Sequence, residues 1–552
     1  MKFSIATLLA NISEEKLVAP KALEKKLDCQ EEASIRKLQI ALDALERIGI
    51  LAKDKGRYRR VELENLVEAK LHCSSKGFCF AIQEKEGSED VYVRESHLSN
   101  AWNGDRVLVK IVKEGSRRRS PEGKVEVILE RANPSVLARV KQVHPEGQPH
   151  YRAIPLDDRL LFELDLLPTE NLENAIDHLV HVEIVRYPLG SQRPIGKVVQ
   201  ILGSDAEAAE DIDIVCCKHD LPRDFSPRVL EEAELLVSNL SKSDLKNKLD
   251  LRRQLTLSFG DTNKKDINHA ISLETIKSGQ WRLGIHIADI PYYVQQESLL
   301  DKEACSRGLS VNLGKATIPI FPETISFDRL ALLPERDRLA LSIAIVIDNK
   351  GQIVEFEIEP SVISVNYQLT YEELEAMFDS EEPDESIHPD AEELHPFIQE
   401  IFAVSNALRN ARLRRGAFEL NLPEQISYYD EEGDLGAIVS PSISPGRAMV
   451  AELTVVANQV IASHLQALGV PAIYRVQNGP EPTEVQEFVK LANNMGAQLY
   501  LETPEEIQPA DFQAFVEEFS NLKAEKIMTY LLEDSLKSAS YSTTAKPHFG
   551  LA

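Results

Sequence analysis

One stretch, LSFGDTNKKDINHAISLETIKSGQWRLGIHIADIPYYV from Leu257 to Val294, constrains this chain more than any other. An apolar run (Leu255, Leu257, Phe259) stops at Gly260-Asp261, and a polar, carboxylate-bearing segment follows through Asp266. Apolar residues then alternate at Leu283, Ile285 and Ile287 before the chain breaks at Ile290-Pro291. Alternation of period two, bounded by turn residues, reads as a strand. Asp261 and Asp266 therefore fall in a loop beside a sheet, where carboxylate oxygens commonly hold hard divalent cations. His286, between two isoleucines, reads as a packed or surface residue rather than a ligand, and Asp289 as a structural cap at the strand end.

Composition narrows the class of molecule around that stretch. A chain of 552 residues, 43% hydrophobic and 27% charged, has apolar material for several domains with their own cores. No run of 18 or more apolar residues is present, and the N-terminal MKFSIATLLANISEEK has no small-residue cleavage site. Neither a bilayer span nor a secretory leader is expected. The six cysteines contain no Cys-x-x-Cys, which points to the reducing cytoplasm and away from zinc; adjacent Cys216-Cys217 read as core. A net charge of −27 argues against a protein that coats nucleic acid, but permits a narrow basic channel in an acidic body. The 11 acids between Glu372 and Glu393, with no Lys or Arg among them, read as a solvated face.

In chain order, residues 1–64 form the first domain, within which 14–62 read as three helices and a β wing. Lys21–Leu27 fits a short helix, and a longer one begins at Ser34 with Ile35, Leu38, Ile40, Leu42, Leu45 and Ile48 before a Gly49 stop. Ile50–Ala52 and Tyr58–Val61 flank the turn Asp54-Lys55-Gly56, the pattern of a winged helix-turn-helix. Its helix and the Lys53–Arg60 wing suit either a nucleic-acid contact or protein docking. Residues 65–134 are all-β, with Phe78 and Phe80 on one face and Arg117-Arg118-Arg119 in a loop. Residues 135–205 repeat that pattern and end in the strand Ile195–Gly203. A linker over 206–247 carries a helix from Pro227 to about Asn239, and a large α+β domain occupies 248–552.

Asp261, the cluster Asp266-Ile267-Asn268-His269, and a strand ending Ile287-Ala288-Asp289 resemble the catalytic domain of the RNase II / RNase R (RNB) family of 3′→5′ exoribonucleases. That family places an Asp ahead of an Asp-x-Asp-Asp cluster. The likeness extends through Gly308–Val311, Thr317–Glu323, Asp328–Pro334, Arg415–Leu420, the helix Met449–Leu468 with Glu452 and Asn458, Pro471–Val476 and Pro547–Ala552. It covers nearly the whole chain, and a divergent member of the kind found in cyanobacteria is expected. The resemblance implies an α+β multidomain architecture: a winged helix, two OB-type cold-shock β-barrels and a mixed α+β catalytic domain. The Ser-Pro-Ile-Arg-Arg-Tyr segment and S1 domain that follow in the family are not in the sequence, so a domain incomplete at its C-terminus is expected.

For function, the resemblance implies a monomer that binds single-stranded RNA between the barrels and the larger domain, stacking bases on Phe78 and Phe80. It also implies Mg²⁺ or Mn²⁺ at the acid cluster, where a metal lowers the pKa of an attacking water. Asp261 and Asp266 stand for the first two family acids, with a spacing one residue shorter than the family's. Asn268 and His269 stand where the final two acids stand. Asn268 carries no charge, and His269 prefers softer metals than Mg²⁺. Impaired hydrolysis is expected; a Mn²⁺-type site using Asp261, Asp266, His269 and Asp289 is the alternative. Asn312 replaces a usual Tyr and Leu420 a usual Phe or other apolar residue of the base clamp. Glu452 matches an RNA-channel position but alone reads as a solvated helix residue. Arg475 suits a phosphate or a carboxylate partner, and Gln477 replaces a usual His. A non-catalytic RNA-binding protein, and more remotely a DNA-binding regulator acting through residues 1–62, are the other classes.

Overall fold

The computed structural model describes the chain except residues 1–2, 30, 62–64, 84–87, 117–118, 144–149, 170–171, 191, 205–210, 237–244, 261–266, 277–278, 314–315, 381, 421, 423–425, 430–434, 440–443 and 521; over 426–429 and 435–439 it describes backbone alone. Two of the four metal-site candidates, Asp261 and Asp266, and the loop residues Arg117-Arg118 therefore lie outside the described residues. The chain divides into two compact units, Met1–Arg223 and Asp224–Ala552.

The first unit opens with α1 (Ile5–Ala10), α2 (Pro20–Lys26) and α3 (Glu32–Arg47), followed by the hairpin β1 (Leu51–Asp54) and β2 (Arg57–Arg60). The first helix lies earlier than the sequence pattern suggested, because the Ser4 hydroxyl caps it by accepting from the Thr7 amide. Leu8, Leu23, Leu38, Leu42 and Tyr58 form one core, which continues onto Leu108 and Leu129 of the next domain. The wing residues Lys53, Lys55, Arg57 and Arg59 stay exposed.

Two five-stranded barrels follow. The first closes in the order β3 (Leu66–Cys73), β4 (Cys79–Ile82), β5 (Val91–Val93), β7 (Glu122–Glu130), β6 (Arg106–Lys113). The second repeats that order with β8 (Ser135–Gln142), β9 (Tyr151–Pro155), β10 (Leu164–Leu166), β12 (Ile195–Gly203) and β11 (Leu179–Arg186). Closure with this one crossover is the OB arrangement and removes exposed strand edges. The barrels share a joint: Trp102 stacks on Phe162 with ring centroids 3.8 Å apart, and the Arg131 guanidinium lies 4.5 Å over Tyr187. Asp105, fully buried, accepts from the Trp102 and Ala132 amides and from Arg131 at 2.8–2.9 Å. Burial pushes its carboxyl up, and those donors oppose the rise. Asp211–Lys218, expected to be linker, forms α4 and buries Cys216 and Cys217.

Cys73 and Cys79 face each other on β3 and β4 and are disulfide-bonded, a pairing the sequence reading did not anticipate. No Cys-x-x-Cys was needed, because strand pairing rather than sequence proximity brought them together.

The second unit begins with α5 (Pro227–Leu235) and holds a seven-stranded sheet in the order β13 (Leu249–Asp250), β20 (Ile353–Ser364), β19 (Asp337–Ile347), β16 (Trp281–Ala288), β15 (His269–Thr275), β14 (Thr256–Gly260), β21 (Tyr367–Thr370). Opposite residues such as Ile271, Ile285 and Ile343 share one face. That face packs on α8 (Tyr371–Asp379), α9 (Ala391–Arg414) and α10 (Pro445–Leu468) through Leu374, Ile398, Leu453 and Val456. By length and composition alone α10 suits a bilayer, yet Met449, Leu453 and Val460 lie in this core. Its start, capped by Ser444, precedes the expected Met449 by one turn. The other face meets α5, α6 (Ile290–Tyr293) and α7 (Leu299–Arg307) around Ala270, Ala288 and Ala340. The hairpins β17 (Val311–Leu313) with β18 (Ala316–Ile318), and β22 (Ile426–Tyr429) with β23 (Leu435–Val439), lie outside that sheet. A last subdomain of α11 (Pro482–Asn494), α12 (Pro509–Phe519) and α13 (Glu525–Asp534) is built on Phe418, Phe512, Phe515, Phe519 and Phe549. The pair β24 (Tyr474–Val476) and β25 (Ser540–Ser542) borders it.

Candidate active site and nucleic-acid face

β14 ends at Gly260 and β15 begins at His269, while residues 261–266 between them lie outside the described residues. The Ile267 carbonyl accepts from Leu332 at 2.7 Å and the Asn268 carbonyl from Ala288 at 3.0 Å. These bonds pin the backbone of the degenerate cluster. The Asn268 side chain is exposed, and its Oδ1 lies 3.3 Å from Nδ1 of the partly buried His269. The family's longer spacing, counted back from Asp266, falls on Gly260, which pairs with Thr370 and has no side chain to donate.

Hard cations need several carboxylate or carbonyl oxygens converging on one point. Among the described residues no three His, Cys, Asp or Glu side chains gather so as to hold a metal. A neutral carboxamide beside an imidazole does not fit Mg²⁺. From its sequence Asp289 suits an oxygen donor or a structural cap at the strand end. It occupies the N-cap position of α6 without a side-chain cap bond, and its Oδ2 pairs with Lys248 Nζ at 3.2 Å. Lys248 was not anticipated; its ammonium also lies 5.6 Å from the Tyr292 ring centre.

Behind this sheet end runs a buried polar chain. His286, 1% exposed, has Nε2 2.9 Å from Ser272 Oγ and Nδ1 2.6 Å from Ser342 Oγ; Ser342 is 2.6 Å from Ser361. Ser361 donates to the Ala340 carbonyl at 3.1 Å. A hydroxyl has one proton to give, so Ser361 accepts from Ser342 and Ser342 accepts from Nδ1–H. Burial pushes the imidazole's pKa down to about 4, so near pH 7 it is neutral, with its proton on Nδ1 and Nε2 accepting from Ser272. His286 is packed, one of the two placements, packed or surface, that its strand pattern left open.

The expected RNA-contact residues fall into separate groups. Glu452 is not a solvated helix residue: it is 7% exposed and takes two hydrogen bonds from Arg412 Nε, at 3.0 and 3.2 Å, and one from Nη2 at 2.6 Å. Arg412 also donates to Glu419 at 2.7 Å, and Glu419 takes a further bond from Arg409. Burial opposes the charge on Glu419, but Arg409 and Arg412 outweigh it and hold its carboxyl below the usual range. Leu420, next to this network, packs on the aromatic C-terminal core. Asn312 is exposed and accepts from Thr317 at 2.9 Å. Arg475 lies over Tyr541, 4.8 Å from the ring centre. Gln477 accepts from the Gly550 amide at 2.9 Å and donates to the Lys537 carbonyl at 2.9 Å, tying down the last turn.

On the first barrel Phe78 and Phe80 do share a surface, with centroids 6.1 Å apart, and Tyr92 joins them at 5.8 Å from each. All three rings are partly exposed. Tyr92 was legible in principle, since Val91-Tyr92-Val93 alternates in the same sense. Its proximity depends on β4–β5 pairing, Phe80 opposite Tyr92.

Comparison with known proteins now bears on this arrangement. The RNB domain family model matches residues 248–552, more than half the chain. This chain belongs to the RNB family. The RNB chain also matches the cyanobacterial RNase R N-terminal domain over 6–61, the Ribonuclease B OB domain over 69–128 and a cold shock domain over 154–226. It is 45% identical to the "Acetazolamide conferring resistance protein zam" of Synechocystis sp., covering 100% of this chain and 70% of that one. It is 30% identical to Ribonuclease R of Thermotoga maritima, covering 96% and 74%. In fold it is similar to Mycoplasma genitalium RNase R in complex with ribose-methylated single-stranded RNA (TM-score 0.77, 22% identity, covering 88% and 75%). Yeast Ssd1, described as a pseudonuclease, is similar at TM-score 0.59 and 17% identity, covering 88% and 65%.

Proposed function

We propose that this RNB protein binds single-stranded RNA and that its 3′→5′ phosphodiester hydrolysis is impaired or shifted away from Mg²⁺. The carrying observation is the pinned Asn268-His269 pair at the head of β15, in the place of two acids in the family resemblance. Replacing two negative charges by a neutral amide and an imidazole removes several kcal/mol of attraction for a divalent cation, since a single pair of unit charges at 4 Å near a surface is already worth about 4 kcal/mol. RNA binding is supported by the half-exposed Phe78–Phe80–Tyr92 cluster, the stacking surface that single strands use, and by the M. genitalium relative bound to RNA. If hydrolysis survives, Asp261, Asp266 and His269 are the residues that must hold Mn²⁺ or Mg²⁺. A second reading, a non-catalytic RNA-binding protein on the same scaffold, rests on the same Asn268 and His269 standing where the family resemblance has two acids.

The test is decay of a 5′-labelled RNA with a single-stranded 3′ end, in Mg²⁺ and then Mn²⁺. Wild type is run beside Asp266→Asn and the double variant Asn268→Asp/His269→Asp. Impaired hydrolysis predicts slow stepwise shortening that Asp266→Asn abolishes and the double variant accelerates. Tight binding with no shortening in any metal supports the second reading. No binding of RNA by wild type refutes both.

A further inference from the structure

Strand pairing places Cys73 and Cys79 opposite one another on β3 and β4. The Ser74 amide donates to the Phe78 carbonyl at 2.8 Å. That makes Ser74–Phe78 the hydrogen-bonded pair and Cys73–Cys79 the closer, non-hydrogen-bonded one, where facing side chains approach most nearly. Alternation turns both sulfurs into the barrel core beside Leu71, Ala81 and Val93, while Phe80 and Ile82 point outward. The bond closes a five-residue loop, Ser74 to Phe78, which turns at Gly77 (φ +89°) and is held by the Gly77 amide donating to Ser74. Phe78 ends that loop and completes the aromatic surface with Phe80 and Tyr92, and the loop also carries exposed Lys76.

We propose that Cys73 and Cys79 are a reversible thiol–disulfide couple that tunes the RNA affinity of the first barrel by ordering the Ser74–Phe78 loop; the RNA half rests on the function proposed above. Two thiols cannot sit at bonding distance. Reduction inside a densely packed barrel therefore pushes the ends of β3 and β4 apart, at the residue that leads into Phe78. In the reducing direction a thiolate of an external dithiol attacks one sulfur, releasing the other as a thiolate that takes up a proton. The reagent's second thiol then displaces the mixed disulfide. The protein gains two electrons and two protons, and the dithiol leaves as a disulfide. Glutathione disulfide drives the reverse. In a reducing compartment a disulfide is more often such an exchanging element than a permanent staple.

The test uses the full chain, equilibrated with glutathione disulfide or with dithiothreitol. Alkylation and mass spectrometry read the state of Cys73 and Cys79, amide hydrogen exchange reads residues 74–80, and anisotropy of a labelled oligouridylate reads RNA affinity. The couple predicts that the oxidised protein protects both cysteines from alkylation and exchanges more slowly over 74–80. Its RNA binding is about tenfold tighter, within the range of one base stacking on one ring. Phe78→Ala should erase the redox dependence of affinity, and Cys73→Ala/Cys79→Ala should be insensitive to either reagent. Full alkylation of both cysteines in the oxidised sample, or equal exchange and equal affinity in the two states, overturns the proposal. Redox-dependent exchange with no RNA binding in either state supports the couple and refutes the RNA-binding reading.

Discussion

Lowering the pH from 7 to 4.5 should remove roughly 2–3 kcal/mol of stability from the Asp224–Ala552 unit through His286 alone. In the folded chain the imidazole titrates near 4, because it is 1% exposed and bonded to two hydroxyls in its neutral form. Unfolded, it returns to its ordinary value of 6.5. Between those values the unfolded chain binds the extra proton, so stability rises with pH across that window and is fully present above 6.5. It falls as pH drops, and the loss saturates below 4 at roughly 3 kcal/mol. Solvent screening needs no allowance at such burial. Carboxylates titrate in part of the same range, so the quantity to measure is a difference. Urea unfolding of wild type and His286→Met should be followed at pH steps from 7.5 to 4. Trp281 at the start of β16 is the reporter, in a Trp102→Phe background that silences the other of the two tryptophans. The wild-type curve should descend roughly 2–3 kcal/mol further than the variant's by pH 4.5. Parallel curves would refute the ordered chain from Ser272 to Ala340 and the neutral tautomer it assigns.

Other outcomes follow from particular contacts. Arg412→Met strands Glu452 in the interior and should cost roughly 3–5 kcal/mol in thermal or urea unfolding; adding Glu452→Met should recover most of it, since a buried pair is worth little more than an apolar one. Gly351→Ala would set a Cβ 2.0 Å from the Ala407 carbonyl oxygen at φ +77°, backbone against backbone, so a loss of roughly 3 kcal/mol or more is expected by the same assay. Tyr92→Ala and Phe80→Ala should each weaken oligouridylate binding by about 1–3 kcal/mol in anisotropy titrations without altering unfolding of the second unit.

Helices and strands were legible because each has its own period, while the order of domains came from the family resemblance of the motifs. The 3.6-residue stripe of Leu38, Leu42 and Leu45 records burial directly, since one face of that helix meets a core. The period-two run Leu283, Ile285, Ile287 marked a strand but not its second covered face, where Gly284, His286 and Ala288 are buried too. The degenerate acid cluster was legible too, because substituting Asn and His for two carboxylates changes chemistry at named positions. Tertiary structure decided what depends on neighbours distant in sequence. Cys73 and Cys79 meet only because β3 pairs with β4, and Asp289 turns to Lys248, 41 residues away in the chain. Glu452 becomes a buried ion-pair partner because α9 brings Arg412 against α10. His286 alternates with isoleucines like any half-buried residue. Its proton count is set by Ser272, Ser342 and Ser361 on three other strands, and a one-dimensional pattern carries burial but not the identity of hydrogen-bond partners across a sheet.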